Sequence, residues 1–259
     1  MSKHFIGIDI GSTSAKTVVL DENKCIIERL LLPTGWSSKE TSEIILKKLN
    51  ELNLYDGNQT IVATGYGRVS VSFANKAVTE ITCHGKGANY LFGNSSNGGN
   101  LLIIDIGGQD TKIIQIENGN VVDFLMNDKC SAGTGRFLEV MSNALNLKMD
   151  ELCDMASYGR DTHISSLCTV FAESEVISLI GRGEKRENIA YAIVDSIIKK
   201  VCQQAQKLYK SGMKVCLTGG LSEFKYISDS LGKELKTCVE ASADGRYAGA
   251  IGAALMGIS

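Results

Sequence analysis

Three short stretches of the chain bring together residue types that can do chemistry. DIGSTSAK at 9–16 and DIGGQDTK at 105–112 each place an aspartate before a glycine turn, then hydroxyl or amide side chains, then a lysine. Glycines let backbone N–H groups approach phosphate oxygens, and nearby hydroxyls add donors. A carboxylate beside such a turn can hold Mg²⁺ through water. The candidates are Asp9, Gly11, Ser12, Thr13, Ser14 and Lys16 in the first stretch, and Asp105, Gly107, Gly108, Gln109 and Asp110 in the second. Lys16 reads equally well as a solvated surface charge. Gln109 or Asp110 could orient an attacking water, because phosphoryl transfer depends chiefly on positioning and electrostatics. A lone Asp-x-Gly is usually no more than a tight turn. Two in register, with Thr218-Gly219-Gly220 further along, point to a Mg-nucleotide clamped by two hairpins.

The third stretch, NDKCSAGTGRF at 127–137, looks like a phosphate turn opening a helix, with Gly133 and Gly135 at its centre. Its thiol, Cys130, has no obvious use there. A second cysteine, Cys168 in CTVFAESEVISLI, also reads as lying just before a helix. Helix N-termini favour anions, thiolate included. Iron–sulfur clusters commonly take four thiolates, and a two-fold dimer would supply two per chain. From spacing alone three readings stand together: a bridging cluster, a shared zinc site, and ordinary core packing of the kind free cysteines often do.

Composition narrows the classes. The chain has 259 residues, 44% hydrophobic and 22% charged, with a formal net charge of -2. Nothing resembles the basic stripe of a nucleic-acid binder. No apolar run reaches the roughly 18 residues of a membrane span, and MSKHFIGIDIGS does not read as a secretion signal, so a cytoplasmic protein is expected. The 8 cysteines are scattered without a CxxC pair, which suits a reducing compartment rather than disulfides.

The elements that must position these residues come as a repeat. FIGIDIGSTSAKTVVL at 5–20 overlies LIIDIGGQDTKIIQI at 102–116 at one constant offset, so Asp9 matches Asp105, Gly11 matches Gly107 and Lys16 matches Lys112. Each copy reads as strand, glycine turn, strand, polar hairpin turn and third strand. Two related lobes are expected: 1–96, with a small-residue helix at 245–259 packing back on it, and 97–244, joined through the polar stretch at 93–100. Helical periods cover 38–52, with Ile44, Ile45, Leu46 and Leu49 as the apolar stripe, and 136–147, 169–180 and 187–210.

These motifs resemble the superfamily of actin, sugar kinases and heat-shock chaperone ATPases, with Gly219 and Gly220 falling at the adenosine position. The resemblance implies a duplicated ribonuclease-H-like α/β fold of two lobes with ATP in the cleft. NDKCSAGTGRFLEV and SSLCTVFAESEVIS, with TGYGR at 64–68 and EITCHGKGA at 80–88, further resemble the ATP-dependent activators of 2-hydroxyacyl-CoA dehydratases, in the family of BadF/BadG/BcrA/BcrD-type ATPases. That likeness implies a homodimer holding one [4Fe–4S] cluster on Cys130 and Cys168, and Mg-ATP turnover coupled to passing a low-potential electron. It implies an iron–sulfur acceptor, either a dehydratase or a double-cubane protein, and reduced ferredoxin or flavodoxin as the electron source. The helix from Thr169 is then the candidate moving element. A small-molecule kinase of the same superfamily, or an assembly ATPase without iron, are the competing readings.

Overall fold

The computed structural model describes residues 3–93, 99–165 and 168–258. Its chain divides into two compact units, one made of Met1–Gly99, Ile116–Val122 and Asp244–Ser259, the other of Asn100–Gln115 and Asp123–Ala243. Most of the stretch expected to join them, residues 94–98, lies outside the described residues.

In the first unit β1 (Phe5–Ile10), β2 (Ser14–Leu20) and β3 (Ile26–Pro33) form an antiparallel meander. It is extended by β4 (Thr60–Thr64), parallel to β1, and by β5 (Lys76–Ala77), in the order β3-β2-β1-β4-β5. β1 is buried throughout, as a central strand with a β-branched, two-sided core must be. Its register sets Asp9 opposite Lys16. α1 (Ser38–Glu51) starts where the Ser37 hydroxyl accepts the Glu40 N–H at 3.3 Å, a standard N-cap. Its buried face is Thr41, Ser42, Ile45 and Leu49, while Ile44 is half exposed. The expected apolar stripe is thus rotated, because small hydroxyl residues rather than Ile44 meet the sheet. α2 (Glu80–Phe92) buries Cys83 and His84.

The second unit repeats the plan. β6 (Leu101–Ile106), β7 (Thr111–Glu117) and β8 (Asn120–Asn127) give the hairpins, β9 (Lys214–Gly219) lies parallel to β6, and β10 (Val239–Ala241) closes the order β10-β9-β6-β7-β8. α3 (Gly135–Ala144), α4 (Met149–Ala156), α5 (Thr169–Gly181), α6 (Arg186–Ala205) and α7 (Lys225–Leu235) complete it. Ile104, Ile106, Phe137, Leu138, Ile193, Ile197 and Leu217 share one core. α8 (Ala248–Ile258) belongs to the first unit and packs on β1, β2, β4 and α2. Glycines on both α8 and α2 allow backbone contact: a Cβ on Gly252 of α8 would lie 1.7 Å from the Cys83 carbonyl oxygen, and one on Gly87 of α2 would lie 1.8 Å from that of Ala248.

The duplicated ribonuclease-H-like α/β fold that the resemblance implies is the fold observed. No helix among the described residues is long and apolar enough to cross a membrane.

Candidate functional site

Hairpin one joins β1 to β2. The Gly11 N–H donates to the Ser14 carbonyl at 3.1 Å, and the Thr34 hydroxyl donates to the Gly11 carbonyl at 2.7 Å, so the turn is braced from β3. Ser12 and Thr13 are exposed at its tip and Lys16 is half buried. Asp9 is 7% exposed. A Cβ on Gly65 would fall 2.4 Å from one of its carboxylate oxygens, and one on Gly249 would fall 2.6 Å from the other. Glycine at both places lets the backbone close tightly on the carboxylate.

Hairpin two joins β6 to β7 with the same turn: the Gly107 N–H donates to the Asp110 carbonyl at 2.9 Å. Here the electrostatics are fixed by a buried lysine. Lys112 is 1% exposed, and its Nζ stands 2.6 Å from Asp110 Oδ2 and 3.4 Å from Asp105 Oδ2. The Thr218 hydroxyl donates to Asp105 Oδ1 at 3.1 Å. Asp105, 4% exposed, is therefore held on both oxygens. A charge buried this deeply persists only when paired. Gln109 is exposed beside this network. A Cβ on Gly219 would reach within 2.8 Å of Asp105 Oδ1, and none of the surroundings approaches Gly220 within 4 Å of a Cβ position.

The cysteine turn before α3 is tied to hairpin two. The Gly135 N–H donates to the Gly107 carbonyl at 2.9 Å and the Arg136 N–H to the Gly108 carbonyl at 2.7 Å. The buried Thr111 hydroxyl donates to the Gly133 carbonyl at 2.5 Å. Gly133 and Gly135 thus brace hairpin two through backbone bonds, and these first N–H groups of α3 point at protein. Asn127 donates to the carbonyls of Cys130 and Ala132 at 2.8 and 3.1 Å. Cys130 lies in this turn, with Thr134 as the helix cap, so it does not itself sit at the helix start.

Cys168 is the N-cap residue of α5. Upstream of it Ser165 is held to the helix by Glu175, whose carboxylate accepts from the Ser165 N–H at 3.1 Å and from its hydroxyl. The residues following each cysteine meet: Ser131 Oγ and Thr169 Oγ1 share a hydrogen bond of 2.7 Å. Two segments far apart in sequence so bring Cys130 and Cys168 onto adjoining backbone, both thiols free and exposed. Cys83, Cys153, Cys202 and Cys216 are buried. Burial pushes Cys83 up to about 11 and the other three up to about 12, which keeps them protonated and structural. Among the described residues no group of three or more His, Cys, Asp or Glu side chains could hold a metal ion. What one chain offers is a two-thiolate set, half of what a four-iron cluster takes.

Sequence reasoning missed the burial of Lys112, which its place opposite the half-buried Lys16 in the repeat does not signal. It also missed the Ser131–Thr169 contact, for which sequence carries no signal.

The model of the BadF/BadG/BcrA/BcrD ATPase family matches residues 6–257. The (R)-2-hydroxyglutaryl-CoA dehydratase activating ATPase of Acidaminococcus fermentans is 38% identical over 98% of this chain and 97% of that protein. The activator of lactoyl-CoA dehydratase of Anaerotignum propionicum is 40% identical over 96% of this chain and 95% of its own length. A solved structure of the activator of the 2-hydroxyisocaproyl-CoA dehydratase from Clostridium difficile, with bound ADPNP, superimposes with a TM-score of 0.88 at 35% identity, covering 100% of this chain and 94% of that one.

Proposed function

Because the chain belongs to the BadF/BadG/BcrA/BcrD ATPase family, we propose that it is an ATP-hydrolysing one-electron donor that reductively activates an iron–sulfur partner enzyme. The partner is a 2-hydroxyacyl-CoA dehydratase, as the names of the relatives suggest, or a related double-cubane protein. The observation that carries this reading is the exposed pair Cys130 and Cys168, joined through Ser131 and Thr169 and tied to hairpin two.

In this reading Gly11, Ser12, Thr13, Ser14 and Lys16 of hairpin one, and Gly107 and Gly108 of hairpin two, bind phosphate. Asp9 and Asp105 hold Mg²⁺ through water. Gly219 and Gly220 admit the adenosine. Lys112 occupies Asp110 at 2.6 Å, so Gln109, exposed and uncommitted to that pair, is the better residue to orient the hydrolytic water. Cys130 and Cys168 of two copies complete a four-thiolate set. The exposed face of α5, with Val170 and Phe171 each 67% exposed and Ile177 59%, supports a second copy as the neighbour of that set. When bound there, a [4Fe–4S] cluster supplies one low-potential electron, replenished by reduced ferredoxin or flavodoxin.

The test is anaerobic purification with iron and acid-labile sulfide analysis, and EPR after dithionite reduction. About four irons and four sulfides per two chains are expected, with a signal that shifts on adding Mg-nucleotide. Cys130→Ser and Cys168→Ser should each lose the iron while remaining folded. A protein that stays iron-free after anaerobic reconstitution would sink the reading.

A further inference from the structure

We infer that Ser131 is a positioning residue: its hydrogen bond to Thr169 keeps Cys130 beside Cys168, and through it hairpin two sets the spacing of the two thiols. This rests on the function proposed above and adds to it the contact that does the coupling.

The route is continuous. Gly107 and Gly108, in the turn of hairpin two, accept from Gly135 and Arg136 at 2.9 and 2.7 Å, and Thr111 grips the Gly133 carbonyl. The Thr134 hydroxyl donates to the Ser131 carbonyl at 2.7 Å, and Asn127 holds the carbonyls on either side of Ser131. Any shift of the turn on exchanging a nucleoside diphosphate for a triphosphate is therefore delivered to Ser131. On the far side Thr169 opens α5, a helix of 13 residues of which only Ala172 and Val176 are buried. Cys168 is the N-cap residue of α5, and Ser165 upstream bonds Glu175 within that helix, so Cys168 and α5 move as one piece. A stiff bracket thus faces a lightly seated helix, and the Ser131–Thr169 side-chain hydrogen bond links them beside the two cysteines. A neutral hydrogen bond of this kind biases a two-state equilibrium by about fivefold, enough to hold one arrangement and weak enough to release it.

The experiment uses the full chain, first without iron. Alkylation rates of Cys130 and Cys168 are measured by peptide mass spectrometry with Mg-ADP and with a non-hydrolysable Mg-ATP analogue, nucleotide binding being followed separately by equilibrium dialysis. In the wild type the two nucleotides should give rates differing by about fivefold. Ser131→Ala should bind both nucleotides as before but reduce that ratio to near one, and Ser131→Thr should restore it. A ratio retained in Ser131→Ala, or absent from a wild type that binds both nucleotides, overturns the coupling role. A wild type that binds neither nucleotide overturns the functional reading itself. In iron-loaded protein the same variant should abolish the nucleotide dependence of iron removal by a chelator; persistence of that dependence counts against the proposal.

Discussion

At the scale of residues, the Lys112 side chain separates what a repeat can tell from what it cannot. The alignment of Asp9 with Asp105 and of Lys16 with Lys112 is readable in the sequence. That one lysine is half buried and the other wholly so is a product of packing, and no local pattern announces it. Lys112 sets its single charge between two carboxylates, Asp105 buried with it and Asp110 partly open to solvent. Removing one member of a buried ion network leaves the others uncompensated, at a cost of about 3–5 kcal/mol. Lys112→Met should therefore lower urea-unfolding stability by about that much and abolish ATPase activity. A loss below about 1 kcal/mol, the range of exposed pairs, would show that the network is solvated. The thiols teach the same lesson. Cys130 and Cys168 stand out by their flanking motifs, yet the Ser131–Thr169 contact that joins their segments is invisible in the sequence.

At the scale of elements, strand–turn–strand units were legible because glycine turns and buried apolar runs leave little choice of period. Helices were less so. The sequence reading passed over α4 and α7, whose MDELCDMA and KYISDSLGKEL mix charge into short apolar faces. In α1 it chose Ile44, which points outward, over Thr41 and Ser42, which fit under the sheet. The small-residue character of α8 did signal close packing, and the contact with α2 is closer than any side chain permits. Gly252→Ala would drive a methyl into the Cys83 carbonyl, so the two helices must part. Overpacking typically costs about 1–3 kcal/mol, and more where backbone is the obstacle. Thermal unfolding should register this as a fall of about 5 °C or more, whereas Gly181→Ala, which meets nothing within 4 Å, should be close to neutral. Equal melting temperatures for the two variants would contradict the tight α2–α8 contact.

At the scale of the whole molecule, the cysteines sort into two populations. Cys25, Cys130, Cys168 and Cys238 are exposed, and Cys83, Cys153, Cys202 and Cys216 are buried. The buried four hold their protons up to about 11 or 12, against roughly 8.5 for a thiol in an unfolded chain. A group whose folded value is raised lends stability that is complete below the unfolded value and is lost as pH climbs through the folded one. Denaturant unfolding under reducing conditions should thus be level from about pH 7 to 8 and weaken steadily above about pH 9. Cys216→Ala should make that decline shallower; an unchanged slope would mean that buried thiols do not set it. A different consequence follows from the placement of α8. The first unit needs this helix on β1, β2, β4 and α2, yet the ribosome must read through the entire second unit before making it. The amino-terminal strands emerge first and wait longest, with the face that Phe5, Val18 and Leu20 turn to α8 uncovered, while the later-made unit already has all its parts. During synthesis the order of completion is thus the reverse of the order of translation, and the early strands are where a nascent chain of this protein would most need a chaperone.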